Sequence, residues 1–172
     1  MQKLTYEVFK MTDDTPKTHE DFMRLAISLS QKNMHENTGG PFGAVVVKDG
    51  KIIGHGANQV TSSNDPTAHA EVVAIRDACR EMDDFNLDGC VIYTSCEPCP
   101  MCLSAIYWAR LDHVYYANTQ QDAADIDFDD RFLYEQVALP HHERSMKSTH
   151  ILRDEAVLVF QEWHEKQDKI PY

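Results

Sequence analysis

The chain has 172 residues and a mass of 19.7 kDa, which favours one compact domain. Its 16 basic and 28 acidic residues give a formal charge of −12, and such a field disfavours nucleic-acid binding. The sequence has no apolar run long enough to span a membrane, and residues 1–7 lack the apolar core of a secretory signal. We therefore expect a cytoplasmic protein that binds neither nucleic acid nor membranes.

Helices and strands alternate along the chain, and turn residues separate them. Asp49-Gly50 joins the first two strands as a hairpin turn, whereas a later strand–helix–strand unit indicates a parallel pair. In chain order we predict a helix over Thr18–Ser30, strands over Ala44–Lys48 and Lys51–Ile53, a helix from Asp65 to about Arg80, a strand over Cys90–Thr94, a helix over Pro98–Ala109, a strand over Val114–Tyr116, a loop over Asp122–Asp130, and helices over Asp130–Val137 and Asp154–Lys166. This order predicts an α/β domain with helices on both faces of one mixed sheet.

Two short motifs carry the chemistry. His69-Ala70-Glu71 lies near the start of one predicted helix, and Pro98-Cys99-Pro100-Met101-Cys102 lies near the start of the next. One imidazole and two thiolates suit Zn2+, and three protein ligands leave the fourth tetrahedral position open for water. A carboxylate beside such a site can carry protons. The motifs therefore predict a catalytic zinc site, with His69, Cys99 and Cys102 as its ligands.

The role of Glu71 has two interpretations from spacing alone, because a carboxylate can act as the proton carrier or as a fourth metal ligand. Residues i and i+2 of a regular helix point to nearly opposite faces. His69 and Glu71 therefore share a site only if the metal approaches the end of the helix. A helix that starts at Pro66 would put both residues in its first two turns.

An iron–sulfur site is the main rival hypothesis. Cys96, Cys99 and Cys102 follow the Cys-x-x-Cys-x-x-Cys spacing of ferredoxin-type sites, but no cysteine stands at the expected fourth position. Cys79 or Cys90 can supply a fourth ligand, although each is more typical of a small core thiol. A non-enzymatic zinc site is a further alternative, and it has no use for a proton carrier such as Glu71.

The two motifs, His-x-Glu followed by Pro-Cys-x-x-Cys, match the zinc-deaminase signature. Longer segments resemble the cytidine-deaminase-like superfamily and, within it, the short bacterial guanine deaminases. The segments that carry this resemblance are Pro41–Val45, Asn64–Glu71, Thr94–Cys102, Ala105–Arg110, Phe128–Asp130 and the terminal Tyr172. The resemblance covers roughly residues 18–172 and implies a three-layer α-β-α domain with a central mixed β-sheet. Residues 1–17 are then a variable N-terminal extension.

The resemblance also implies roles for individual residues. Zinc ligands fall at His69, Cys99 and Cys102, the general acid and base at Glu71, and a second proton carrier at Asp130. Substrate contacts fall at five positions: Phe42 and Trp108 on the two faces of a flat ring, Asn58 and the Ala70 backbone N–H on its polar edge, and Tyr172 as a lid. For Trp108 and Asn58, a purely structural role in the core is the alternative.

The resemblance implies hydrolytic deamination of guanine to xanthine and ammonia in purine metabolism. It further implies a homodimer in which the C-terminal tail is exchanged between subunits. A tRNA adenosine deaminase is the alternative, but residues 131–172 contain six Lys and Arg against seven Asp and Glu and form no basic cluster. Cytosine or an aminotriazine is a third substrate possibility.

Overall fold

The computed structural model describes residues 18–172, so the predicted N-terminal extension lies outside the described residues. The chain divides into two compact units, of which the first ends at Asp130 and the second is Arg131–Tyr172. The elements are α1 (His19–His35), β1 (Gly43–Lys48), β2 (Lys51–Ala57), α2 (Val60–Ser63), α3 (Ala70–Met82), β3 (Cys90–Cys96), α4 (Pro100–Trp108), β4 (His113–Asn118), α5 (Gln120–Ala124), α6 (Arg131–Ala138) and α7 (Arg153–Glu165).

The first unit is built on one mixed sheet of four strands in the order β2-β1-β3-β4. β1 pairs antiparallel with both β2 and β3, whereas β3 and β4 are parallel and are joined through α4. The predicted hairpin at Asp49-Gly50 is confirmed, since Lys48 and Lys51 are paired in register. The predicted parallel strand–helix–strand unit and the mixed sheet are confirmed as well.

Alternation along β1 places helices on both faces of the sheet. Val45 and Val47 pack with Phe22 and Ala26 of α1 on one face. Ala44 and Val46 belong to the other core cluster, which buries the small residues of α3 together with Ile92 and Ile106. Successive strand residues point to opposite faces, so a run of buried residues requires cover on both sides. The result is the predicted three-layer α-β-α arrangement.

Two glycines of β2 allow α3 to approach the sheet closely. A Cβ atom at Gly54 would lie 2.5 Å from Ala78 N, and one at Gly56 would lie 2.6 Å from Ala74 N. Ala70, Ala74 and Ala78 are fully buried on the facing side of α3. This glycine-to-alanine packing sets the distance of α3 from the sheet and thereby positions its first turn.

Several predicted boundaries in the first unit are wrong: α1 extends beyond Ser30 to His35, and β2 extends beyond Ile53 to Ala57. The helix predicted from Asp65 begins at Ala70, because Asp65 accepts hydrogen bonds from the Thr67 N–H and hydroxyl and so forms a turn. The helix predicted from Pro98 begins at Pro100. The loop predicted over Asp122–Asp130 is wrong at its start, because Asp122 lies inside the short helix α5 and forms a capping box with the N-cap residue Thr119.

The second unit consists of α6, α7 and the segments that follow them. Within it, Gln136 accepts hydrogen bonds from the backbone and hydroxyl of Ser145, and the Arg144 guanidinium donates to the Leu139 carbonyl. The final helix lies one residue earlier than predicted, and none of its residues is buried. No helix of residues 18–172 is long and apolar enough to cross a membrane.

Candidate active site

Three side chains converge between the amino-terminal ends of α3 and α4. His69 Nδ1 lies 3.6 Å from Cys99 Sγ and 3.5 Å from Cys102 Sγ. These three residues are the one group of potential metal ligands found among the described residues. Sequence spacing predicted this set, and the fold brings it together from elements 30 residues apart.

Both helix starts present a ligand from the N-cap position. His69 caps α3 with φ −69° and ψ 156°, and Cys99 caps α4 with φ −64° and ψ 168°. These extended conformations put both residues outside the regular helices, so the i, i+2 conflict between His69 and Glu71 does not arise. Pro100 at the first position of α4 has the φ angle that a helix start requires. The metal-binding group therefore faces two helix ends, where unpaired N–H groups favour thiolates.

The spacing of the donor atoms fits zinc. Tetrahedral Zn–N and Zn–S bonds of about 2.0–2.1 and 2.3 Å place the nitrogen about 3.6 Å from each sulfur. The two N···S distances, 3.5 and 3.6 Å, agree with that separation. A His-Cys-Cys set supplies three ligands and leaves a fourth position, which is the pattern of a catalytic zinc site.

The thiols of Cys99 and Cys102 differ in pKa when no metal is bound. A hydrogen bond from Cys102 and another with His69 lower the pKa of Cys99 to about 4. The hydrogen bond with Cys99 and burial raise the pKa of Cys102. The hydrogen bond with Cys99 in turn raises the pKa of His69. One thiolate and one thiol beside an imidazole form a site that releases a proton when a divalent metal binds.

Glu71 lies beside the ligand group and is not a member of it. Its Oε1 accepts a hydrogen bond of 3.2 Å from the Thr94 hydroxyl, and its Oε2 lies 3.4 Å from Cys102 Sγ. Only 6% of the residue is exposed, and this burial raises the pKa of Glu71. A buried, hydrogen-bonded carboxyl of raised pKa beside a metal site binds a proton more readily than an exposed one and is suited to proton transfer.

Asn58 presents a hydrogen-bond donor. Its Oδ1 accepts from the backbone N–H groups of Gly40 and Val60, each at 3.2 Å, and this fixes the orientation of the amide. Its Nδ2 has no partner among residues 18–172, where every fully buried polar side-chain atom has one. The NH2 group therefore reaches open space and is available to an acceptor.

Phe42 and Asp130 are connected to the loops around the site. Phe42 packs edge-on against Phe128 with ring centroids 5.0 Å apart. Asp130 accepts a 2.6 Å hydrogen bond from Gln120 Nε2, and Glu97 accepts one of 3.1 Å from Gln120 N. Gln120 thus links Asp130 to the loop that precedes Cys99.

The remaining predicted contacts occupy different surroundings. Ala70 is fully buried at the first position of α3, where a helix leaves its N–H groups without intrahelical partners. Trp108 is 67% exposed and lines a shallow hollow with Ser104, Tyr107 and Arg110. A core position for Trp108 is therefore wrong. Tyr172 belongs to the second unit and is exposed.

Cys96 does not join the ligand group, which argues against the iron–sulfur hypothesis. Its Sγ lies 3.7 Å from the Thr119 carbonyl oxygen, and desolvation raises the pKa of Cys96 to about 11. Cys79 and Cys90 are free thiols outside the group, and burial raises the pKa of each. The Cys-x-x-Cys-x-x-Cys pattern thus contributes two ligands and one buried neighbour.

Sequence reasoning missed three residues that hold site residues in place: Thr94, Gln120 and Asn33. Thr94 occupies an inward position at the end of a buried strand, and that pattern is a usable signal. Asn33 falls on the apolar face that Phe22 and Ala26 define, so a polar residue interrupts a buried stripe. Gln120 has no such signal, because its contacts depend on the tertiary course of residues 118–130.

Comparison with known proteins gives consistent matches. The model of the cytidine and deoxycytidylate deaminase zinc-binding region matches residues 16–118. Guanine deaminase of Bacillus subtilis (strain 168) is 50% identical over 154 residues, which cover 90% of this chain and 99% of that protein. A tRNA-specific adenosine deaminase of Agrobacterium fabrum is 33% identical over 151 residues, covering 88% of this chain and 96% of that protein. The X-ray structure of guanine deaminase from Bacillus subtilis has a TM-score of 0.88 at 49% identity and covers 91% of this chain and 99% of that chain.

Proposed function

The chain belongs to the cytidine and deoxycytidylate deaminase family, and from that premise we propose that it converts guanine and water to xanthine and ammonia. The observation that carries the reaction class is the buried carboxyl of Glu71 beside the His69, Cys99 and Cys102 group. The choice of guanine rests on 50% identity to a guanine deaminase over nearly the full length of both chains. Such an activity belongs to purine metabolism.

Glu71 is the proton carrier of the proposed reaction. Zinc supplies Lewis-acid activation, which makes water a nucleophile near neutral pH. Glu71 takes a proton from the attacking water and delivers it to the ring nitrogen next to C2, while the new C–O bond forms at C2. Glu71 then takes the proton of the new C2 hydroxyl and delivers it to the amine, so that the C2–N bond breaks, ammonia leaves and the C2 oxygen becomes the carbonyl of xanthine. Burial and the Thr94 hydrogen bond keep its carboxyl in one position for both transfers.

Recognition of the purine is assigned to donors at its carbonyl edge. The Asn58 NH2 group, whose orientation is fixed by the hydrogen bonds to its Oδ1, and the Ala70 backbone N–H are proposed to donate to the oxygen at C6, which can accept two hydrogen bonds. A site that leaves buried donors unpaired with other bases discriminates strongly against them. Phe42 and Trp108 are proposed to contact the two faces of the ring.

Asp130 is proposed as the second proton carrier, acting on the leaving ammonia. Support comes from its hydrogen bond with Gln120, which holds the carboxylate in one orientation. The neighbouring Asp127 and Asp129 are the alternatives that the sequence offers for this role.

A homodimer with exchanged C-terminal segments is the proposed assembly, and Tyr172 is proposed to close the partner's pocket. The support is the exposure of large apolar side chains on α7, where Leu158, Val159, Phe160 and Trp163 are all 45% or more exposed. Faces of this kind are rare on monomeric proteins. We also propose a cytoplasmic location, because the two cysteine ligands must stay reduced to bind zinc.

Replacement of Glu71 tests the assignment. Glu71→Gln keeps the shape and the Thr94 contact but cannot carry a proton, so we expect zinc stoichiometry to be unchanged and guanine turnover to fall by at least about 100-fold. The measurement is ammonia release together with metal content. Cys79→Ser, a substitution outside the ligand group, is the control and should leave both zinc content and turnover unchanged. Near-normal turnover of Glu71→Gln would remove Glu71 from the mechanism.

A further inference from the structure

We propose that Asn33 is a positioning residue for purine recognition. It does not touch the purine and acts by fixing the position of the Asn58 side chain. This inference rests on the proposed function, in which Asn58 donates to the carbonyl oxygen at C6. Asn33 lies in the last turns of α1, on its buried face, with 6% of its surface exposed.

The Asn33 amide bridges two loops. Its Nδ2 donates to the Gly40 carbonyl at 2.9 Å and to the Asn58 carbonyl at 2.8 Å. One loop leads to Phe42 and the other carries Asn58, whose backbone N–H donates to the Phe42 carbonyl at 3.1 Å. Both amide hydrogens of Asn33 are therefore used, and they hold the backbone of Asn58 against the loop at Gly40.

The orientation of the Asn33 amide is determined chemically. Its Oδ1 accepts a hydrogen bond of 2.5 Å from the Thr38 hydroxyl. A flipped amide would direct its oxygen at two carbonyl oxygens and lose both donors. The hydrogen bond to the Asn58 carbonyl is buried, so water cannot replace it without cost. Asn33 thus has one arrangement, and its position is fixed relative to both loops.

The loops are packed too closely for another arrangement. A side chain at Gly39 would collide with the Asn58 carbonyl and would lie 3.0 Å from Asn33 Nδ2. The network continues from the Gly40 N–H to Asn58 Oδ1 and ends at the Asn58 NH2 group, which reaches open space. A buried polar network whose last donor faces open space is arranged to present that donor to an acceptor.

Equilibrium binding of two purines distinguishes positioning from general support. Guanine and 2-aminopurine share the amine at C2, but 2-aminopurine lacks the oxygen at C6. We use zinc-loaded Glu71→Gln protein, which binds without turnover, and compare it with the same protein carrying Asn33→Ala. We expect the dissociation constant for guanine to rise about tenfold, the effect of one lost hydrogen bond, and that for 2-aminopurine to change less than about twofold.

Two further variants keep the test decisive. Thr38→Val removes the donor that orients Asn33 and should weaken guanine binding in the same direction by a smaller factor, even if Asn33→Ala folds poorly. On an Asn58→Ala background, Asn33→Ala should cause little further loss, because its effect passes through Asn58. Ser28→Ala, which removes a side-chain hydrogen bond within α1 alone, is the matched control and should leave both constants unchanged.

Equal weakening for the two purines, or no change for either, would overturn the role of Asn33 while leaving the proposed function intact. A Glu71→Gln protein that retains Asn33, binds zinc and fails to bind guanine would instead reject the proposed function, and the Asn33 proposal with it.

Discussion

At the scale of single residues, the site depends on groups that hold the reactive atoms still. Glu71 has a buried carboxyl, and its side-chain donors are the Thr94 hydroxyl and the Cys102 thiol. When Cys102 becomes a thiolate ligand it no longer donates. Thr94 then supplies the remaining side-chain hydrogen bond to Glu71, so it should determine how well the carboxyl is aligned for proton transfer.

Thr94→Val and Thr94→Ser test this contact. Valine keeps the volume and loses the hydroxyl, so we expect kcat for guanine to fall about tenfold with little change in KM and unchanged zinc content. Serine restores the hydroxyl and should recover most of the activity. Steady-state kinetics decides the matter, and equal activity of the two variants would show that the hydroxyl of Thr94 is irrelevant.

At the scale of elements, the ligands are placed by where helices begin. His69 and Cys99 are N-cap residues in extended conformation, at the starts of α3 and α4. The approach of α3 to the sheet depends on Gly54 and Gly56, which leave no room for a side chain. Movement of α3 away from β2 would carry both His69 and Glu71 with it.

Gly56→Ala should therefore disturb stability and activity together. The added methyl group meets Ala74 N at 2.6 Å, and overpacking of this kind lowers the free energy of unfolding by about 1–3 kcal/mol. Urea unfolding measures the loss, and guanine turnover should decrease in the folded protein. Lys51→Ala, at an exposed position of the same strand, is the control. Unchanged stability of Gly56→Ala would contradict the close packing of α3 on β2.

The elements also show what sequence patterns can and cannot predict. Val45 to Val47 and the Asp49-Gly50 turn specify a buried strand and a hairpin locally, so β1 and its pairing were predictable. The start of α3 was not, because Asp65-Pro66 satisfies the local rules for a helix start. The Asp65–Thr67 turn prevails there and leaves His69 as the cap. Asn58 was predicted only through the family resemblance, and the contact of Asn33 with the Asn58 carbonyl required the tertiary structure, since the two residues are 25 positions apart.

At the scale of the whole molecule, charge and exposed apolar surface have opposite consequences. A net charge of −12 opposes binding to a polyanion such as tRNA. It does not prevent two copies from associating through the uncharged residues of α7, whose Phe160 is 77% exposed. These two features favour a small substrate and a self-associating enzyme.

Light scattering tests the association. We expect a mass twice the chain mass of 19.7 kDa at micromolar concentration. The double variant Phe160→Glu/Trp163→Glu replaces two exposed apolar side chains with charged ones and should reduce the mass toward that of one chain. Gln161→Glu adds charge at an exposed polar position of α7 and serves as the control. A single-chain mass for the unaltered protein would refute the dimer.

The central claim is that the chain is a guanine deaminase, and ammonia release by the zinc-loaded protein tests it most directly. Guanine, cytosine, adenine and an adenosine-bearing tRNA anticodon stem-loop are offered in parallel at equal concentration. We expect rapid release from guanine and release at least about 100-fold slower from the other three. Release from the stem-loop with none from guanine would contradict it and would mean that a local surface overcomes the net charge of the protein.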